Sequence, residues 1–181
     1  PKMKRLHWSE EDQAFYIAMY DEKLQRMDRW VGRFLDALEE LELMERTIVL
    51  IFGGHGDEYF DHGFLDHGTN LYEEVIHVPM LMTLPGVEGS RVVESQVRTI
   101  DLFPTLFELL GLAHHPVTGV SVLPALNGDP MDLAGFSETR YRLFTDKSAV
   151  VTPDHRYKFI STHDSGQREL YDLVEDPKEQ H

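Results

Sequence analysis

Apolar residues return at steps of three and four along the early part of the chain, at Ile17, Tyr20, Leu24, Met27, Val31, Phe34, Leu38 and Leu41. That spacing lines them up on one helical face. Ser9 followed by Glu10, Glu11 and Asp12 adds a capping side chain and an acidic first turn. The pattern predicts a long amphipathic helix over 9–41 with a stripe that packs against other elements. Gly32 within it costs helix propensity and marks a close approach to a neighbour. The period then changes. Thr47-Ile48-Val49-Leu50-Ile51-Phe52 is continuously apolar or β-branched and stops at Gly53-Gly54, which predicts a buried parallel strand covered on both faces. A second strand is predicted over 77–84, closed by Pro85-Gly86. Residues 101–111 read as a short buried helix, with Asp101 as its cap, a proline in its first turn and Gly111 as its stop. Beyond "GVSVLPALNGDP" the apolar runs shorten, and 149–151, 157–160 and 169–173 are strand candidates. A boundary near Gly128 therefore separates an α/β core, 1–128, from a small antiparallel C-terminal subdomain, 129–181.

Composition narrows the function classes. The chain has 181 residues, 41% of them hydrophobic, enough for a sizeable core. Its 32 acidic residues outnumber 17 basic ones for a net charge of -15, which repels nucleic acid and anionic membranes. It contains no cysteine, hence no disulfide, zinc–thiolate site or cysteine nucleophile. No apolar run has the length of a membrane span, and the opening "PKMKRLHWSEED" lacks the apolar core of a signal peptide. These features predict a soluble chain with no targeting segment of its own and leave the compartment open.

Candidate chemistry is concentrated after the first strand. "GGHGDEYFDHGFLDHG", residues 53–68, holds three His-Gly pairs in sixteen residues. In open α/β sheets, sites form just beyond the carboxyl ends of strands, where His55 falls.

Five stretches in order, "YIAMYDEKLQRMDRWVGRFLDALEELEL", "TIVLIFGGHGDEYFDHGFLDHGTNLYEEVIHVPMLMTLPG", "RTIDLFPTLFELLGL", "GVSVLPALNG" and "KFIS…ELYDLVEDPKEQ", resemble the carboxyl-terminal part of a type I sulfatase of the alkaline phosphatase superfamily. The resemblance runs over nearly the whole chain. It implies a partial alkaline-phosphatase-like α/β sandwich, a mixed sheet with flanking helices, followed by the start of a small antiparallel subdomain. It also implies a divalent metal (Ca, Mg, Mn or Zn) and hydrolysis of a small-molecule or glycan sulfate ester in the intact enzyme. The family's nucleophile is a formylglycine made in a Cys/Ser-x-Pro-x-Arg motif, which these residues do not contain. The chain is therefore expected to be inactive by itself, and its sheet edge and apolar surface to favour self-association.

Within the opening loop the family shows Ser-Asp-His-Gly or Ser-Asp-Asn-Gly, where this chain has Gly53-Gly54-His55-Gly56. Glycine at 54 removes a carboxylate and weakens a hard-cation site. It also suggests a backbone conformation that a side chain tolerates poorly. The resemblance makes His55 the remaining metal ligand of that motif, and an imidazole suits Mn²⁺ or Zn²⁺ better than Ca²⁺. It makes His67 the residue that contacts the sulfate and assists the leaving oxygen. An imidazole near pKa 6.5 can donate that proton at neutral pH. His62 reads as structural. Asp57, Asp61 and Asp66 read as solvated loop acids able in principle to replace the lost carboxylate, and His114-His115 as an ordinary loop pair. Two other functions fit the same scaffold: a phosphonate monoester hydrolase or phosphodiesterase, and a degenerate, non-catalytic sulfatase-like module.

Overall fold

The computed structural model describes residues 8–141 and 145–181. The reading of the amino-terminal stretch as free of a leader core falls largely on residues 1–7, outside the described residues. The chain divides into two compact units, one built from residues up to 53, 57–66 and 79–88, the other from 54–56, 67–78 and 89–181.

The first unit is dominated by helix α1, Glu10–Glu40. Its start is the one the sequence predicts: Asp12 N–H donates to Ser9 Oγ at 3.1 Å, and Ser9 N–H donates back to Asp12 Oδ2 at 3.0 Å. This reciprocal cap satisfies two otherwise orphaned donors. The predicted stripe is only partly covered within this chain. Tyr20, Val31 and Leu38 are half-buried, whereas Leu24, Met27, Phe34 and Leu41 stay exposed and no residue of α1 is fully buried. Periodicity places those side chains on one face, but it does not say whether this chain carries their cover. Strand β1, Val49–Phe52, pairs with β4, Met80–Thr83, in the register Val49 to Thr83. The pairing is antiparallel, which overturns the expected parallel strand. A continuous apolar run reports on cover and carries no information about direction. The expected burial also fails beyond Val49, since Leu50 and Ile51 are half-buried and Phe52 is exposed. Between them, β2 (Glu58–Tyr59) and β3 (Leu65–Asp66) form a short hairpin. Its tip is held by Glu58, fully buried, whose Oε1 accepts the His62 and Phe64 backbone N–H groups at 2.8 Å each.

The second unit contains the short helices α2 (Glu73–Ile76), α3 (Leu102–Leu109) and α4 (Leu123–Leu126). A four-stranded antiparallel meander follows: β5 (Gly135–Tyr141), β6 (Thr145–Val151), β7 (Tyr157–Thr162) and β8 (Gln167–Asp172). The three predicted C-terminal strands correspond to β6, β7 and β8. Strand β5, "GFSETRY", was not anticipated because only its aromatic ends are apolar. Leu71, Tyr72, Ala149 and Ile160 form the core, with Ile76 and Tyr171 packed against it. Tyr72 and Tyr171 both donate their hydroxyls to Glu169 Oε1, at 2.8 and 3.1 Å, so the aromatic core keeps its polar ends satisfied. Beside it lies a fully buried ammonium. Lys158 Nζ sits 3.1 Å from Glu73 Oε1 and 2.8 Å from Glu179 Oε1. Glu179 Oε2 accepts the Glu73 backbone N–H at 2.6 Å, so one network ties α2, β7 and the end of the chain.

Asp101 does not cap α3 as predicted. It has helical backbone angles, and Pro104, at the third helical position, has no N–H to offer a cap. Its buried carboxylate instead accepts from Arg98 Nη2 (2.8 Å), Nε (3.0 Å) and backbone N–H (3.0 Å), and from Val120 N–H (2.9 Å). Thr105 completes this lock, its Oγ1 accepting Val122 N–H at 3.0 Å. No helix among the described residues is long and apolar enough to cross a membrane.

Burial alone would raise the Asp101 pKa, but the Arg98 and Val120 donors outweigh it and hold the carboxyl below its ordinary 3.8. A group with a depressed folded pKa stabilises above its unfolded pKa, and that stability is lost as pH falls through the folded value. Asp101→Ala should therefore cost about 3–5 kcal/mol at neutral pH by removing the carboxylate from the Arg98 guanidinium and leaving two backbone donors, of Arg98 and Val120, without their acceptor. Denaturant titrations should show a smaller loss of stability in the variant than in the wild type as pH drops below about 4. Equal stabilities, or equal acid slopes, would mean that this carboxylate does not hold the unit together.

Candidate active site

His55 stands on the three-residue segment 54–56 of the second unit, and glycine chemistry fixes that segment in place. Gly56 N–H donates to Val75 O at 2.8 Å. A Cβ at Gly56 would lie 2.0 Å from Glu74 O, so only glycine permits this approach to the α2 backbone. His55 itself is exposed, and its Nδ1 lies 3.0 Å from Gly56 O. A carbonyl only accepts, so Nδ1 carries the proton in that contact and the neutral ring keeps its lone pair on Nε2. This is the arrangement by which an outer acceptor orients a metal-binding imidazole.

His67 is brought in from the other end of the loop. Gly68, at φ +87°, turns the chain immediately after it. Gly68 is fastened to the meander: Thr139 Oγ1 donates to its carbonyl at 2.6 Å, and a Cβ there would come within 3.1 Å of the Tyr141 ring. The result is a pair of exposed imidazoles, His55 and His67, with centroids 3.9 Å apart and planes tilted by 30°. The fold brings together the two histidines singled out from the sequence. Neither Thr139 nor Gly56 could be singled out in advance, although a glycine after each histidine is the visible part of the signal.

The backbone at Gly54 corrects one expectation. Its φ does not lie in the left-handed region, and a Cβ would meet open space. A side chain fits there without strain, so the absence of a carboxylate is a matter of residue identity and not of backbone geometry. The other loop candidates belong to the first unit. Asp61 and Asp66 are exposed, Asp57 is half-buried, and His62 has its backbone N–H on Glu58. His114 packs edge-on to Phe103 and Phe107, in keeping with its reading as a loop residue. The His55 imidazole fits a Zn²⁺ or Mn²⁺ ion better than Ca²⁺ or Mg²⁺, which require mainly oxygen ligands. Asp57, two residues beyond His55, is the carboxylate next in sequence.

Comparison with known proteins identifies the family. A family model described as "Sulfatase" matches residues 7–112, and one described as "N-sulphoglucosamine sulphohydrolase, C-terminal" matches 60–181. Delta 4,5-hexuronate-2-O-sulfatase of Bacteroides thetaiotaomicron is 29% identical over 96% of this chain, and arylsulfatase K of Mus musculus is 30% identical over 92%. The chain spans 38% and 31% of those two proteins' lengths. A solved 2-O GAG sulfatase superposes with a TM-score of 0.83 at 29% identity, covering 97% of this chain and 40% of that one. The matched residues take in the His55 and His67 loop, α1 and the meander alike, and the chain belongs to the sulfatase family, a type I sulfatase of the alkaline phosphatase superfamily.

Proposed function

We propose that these residues form the metal-holding and leaving-group side of a sulfatase whose substrate is a sulfate ester on a uronate-containing glycan fragment. The observation that carries the reading is the His55–His67 pair at 3.9 Å, fixed at one end by Gly56 and at the other by Gly68. The names of the relatives, a hexuronate-2-O-sulfatase and a 2-O GAG sulfatase, supply the substrate class.

In this reading His55 Nε2 would hold a divalent cation. When bound, that cation neutralises sulfate oxygens. His67, as imidazolium, gives its proton to the sugar oxygen as the ester bond to sulfur breaks, so that the leaving group departs as a neutral alcohol. The nucleophile lies outside these residues, which have no cysteine and no Ser-x-Pro-x-Arg. We infer further that the exposed stripe of α1 is a seam for the part of the relatives' fold that this chain does not span.

Two outcomes are expected. The 181-residue chain should not hydrolyse an aryl sulfate with any divalent metal, whereas a form spanning its relatives' length should do so. In that longer form His67→Ala should lower kcat by about 10²–10⁴-fold, most severely for poor leaving groups. Turnover by the short chain that disappears in His67→Ala would place a nucleophile here and sink the assignment. Separately, Gly54→Asp should tighten metal binding by an order of magnitude or more, since a charged ligand adds on the order of 1–3 kcal/mol. The metal-free stability should be unchanged, because the added side chain meets open space. Calorimetric titration of both proteins checks this, and equal affinities would mean that another group already fills the position or that no metal belongs there.

A further inference from the structure

A second group of histidines faces the buried Lys158 network, away from His55 and His67. Lys158 Nζ faces Glu179 Oε1 and Glu73 Oε1, which leaves Glu73 Oε2 on the side away from the ammonium. Two imidazole nitrogens converge on that oxygen: His77 Nδ1 at 3.0 Å, one helical turn along, and His155 Nε2 at 3.2 Å, from the turn between β6 and β7.

The state of His155 follows from its other nitrogen. Gln96 Nε2 donates to Leu133 O at 2.6 Å, which fixes the amide so that Oε1 faces His155 Nδ1 at 3.0 Å. Because Oε1 only accepts, Nδ1 carries a hydrogen, and a neutral ring then turns the lone pair of Nε2 toward the Glu73 carboxylate. Two electron pairs 3.2 Å apart repel unless a cation lies between them. Protons can meet this need as well, through one imidazolium at His155 and a neutral His77 that donates its Nδ1–H, so a metal ion competes with protons for the same electron pairs.

We propose that Glu73 Oε2, His77 Nδ1 and His155 Nε2 bind a divalent transition metal, with Zn²⁺ as the best fit. Bonds of about 2.0–2.1 Å in a tetrahedral zinc site place neighbouring ligand atoms about 3.3 Å apart; the two separations from Glu73 are 3.0 and 3.2 Å, and all three ligand atoms lie within 4.8 Å of one another. The donor set is two imidazoles and one carboxylate. Gln96 is the outer acceptor that orients one imidazole, and Lys158 anchors the carboxylate from its far oxygen. His77 is exposed, so the ion has a path from solvent and the fourth position is open to water. His155 holds a left-handed backbone, φ 54°, that the surrounding turn must sustain, and a metal bond to its side chain pins that turn to α2.

The test uses the whole chain carrying His55→Ala and His67→Ala, so that the loop pair cannot contribute. Titration with Zn²⁺, and with Co²⁺ for its tetrahedral visible spectrum, should show one equivalent bound and a higher thermal midpoint. His77→Ala, at an exposed position, and His155→Asn, chosen because asparagine tolerates a left-handed backbone, should each weaken binding at least tenfold and abolish the thermal gain. Gln96→Ala should weaken it by about 10–100-fold. Absence of an ion in this background, or binding unaffected by both histidine substitutions, would overturn the site. So would NMR spectra showing both rings doubly protonated near pH 8 and unmoved by zinc, since protons alone would then hold the cluster.

Discussion

The Lys158 ammonium is the point on which the second unit turns. A fully buried cation costs several kcal/mol unless it is paired with good geometry. Here the pairing comes from Glu73 at the start of α2 and Glu179 near the chain's end, neither adjacent to β7 in sequence. The Glu73 backbone N–H, an unsatisfied helix-start donor, goes to the same Glu179. Three segments are therefore held by one charge, and each would leave a buried ion unsatisfied if it moved away. The neighbouring apolar core, Leu71, Tyr72, Ala149 and Ile160, joins the same segments by area instead of charge, so packing and electrostatics select the same arrangement.

The position of the histidine pair is inherited from that arrangement. Gly56 is bonded to Val75 of α2, so His55 sits where the network puts the helix. Gly68 is bonded to Thr139 of β5, so His67 sits where the meander puts its first strand. Both attachments use a backbone group and a glycine, and both histidine side chains are exposed. Sites built this way are positioned by rigid elements even though their residues lie on loops.

The first unit behaves differently. Its helix α1 buries no residue completely, and Met27, Trp30 and Phe34 lie open along it. Its ordered features are local: a reciprocal cap at Ser9, a two-stranded antiparallel pair, and a hairpin held by the buried Glu58 carboxylate. Local hydrogen bonding specifies these elements, but little of the apolar area that would stabilise them is removed from water within this chain.

What could be read from the sequence alone was what short-range physics encodes. The 3.6-residue period and Ser9-Glu10-Glu11-Asp12 marked α1 and its start, turn residues separated the later strands, and the ordered motifs marked the family together with His55 and His67. Distance along the chain hid the rest. The direction of β1 was misread because hydrophobicity has no sense of direction, and only its partner at Met80–Thr83 decides it. Asp101 looked like a cap until Arg98 and Val120 claimed its oxygens, and β5 was too polar to announce itself. The convergence of Glu73, His77 and His155 spans a gap of about eighty residues that no spacing rule bridges, because it exists only once a buried lysine has drawn its carboxylates together.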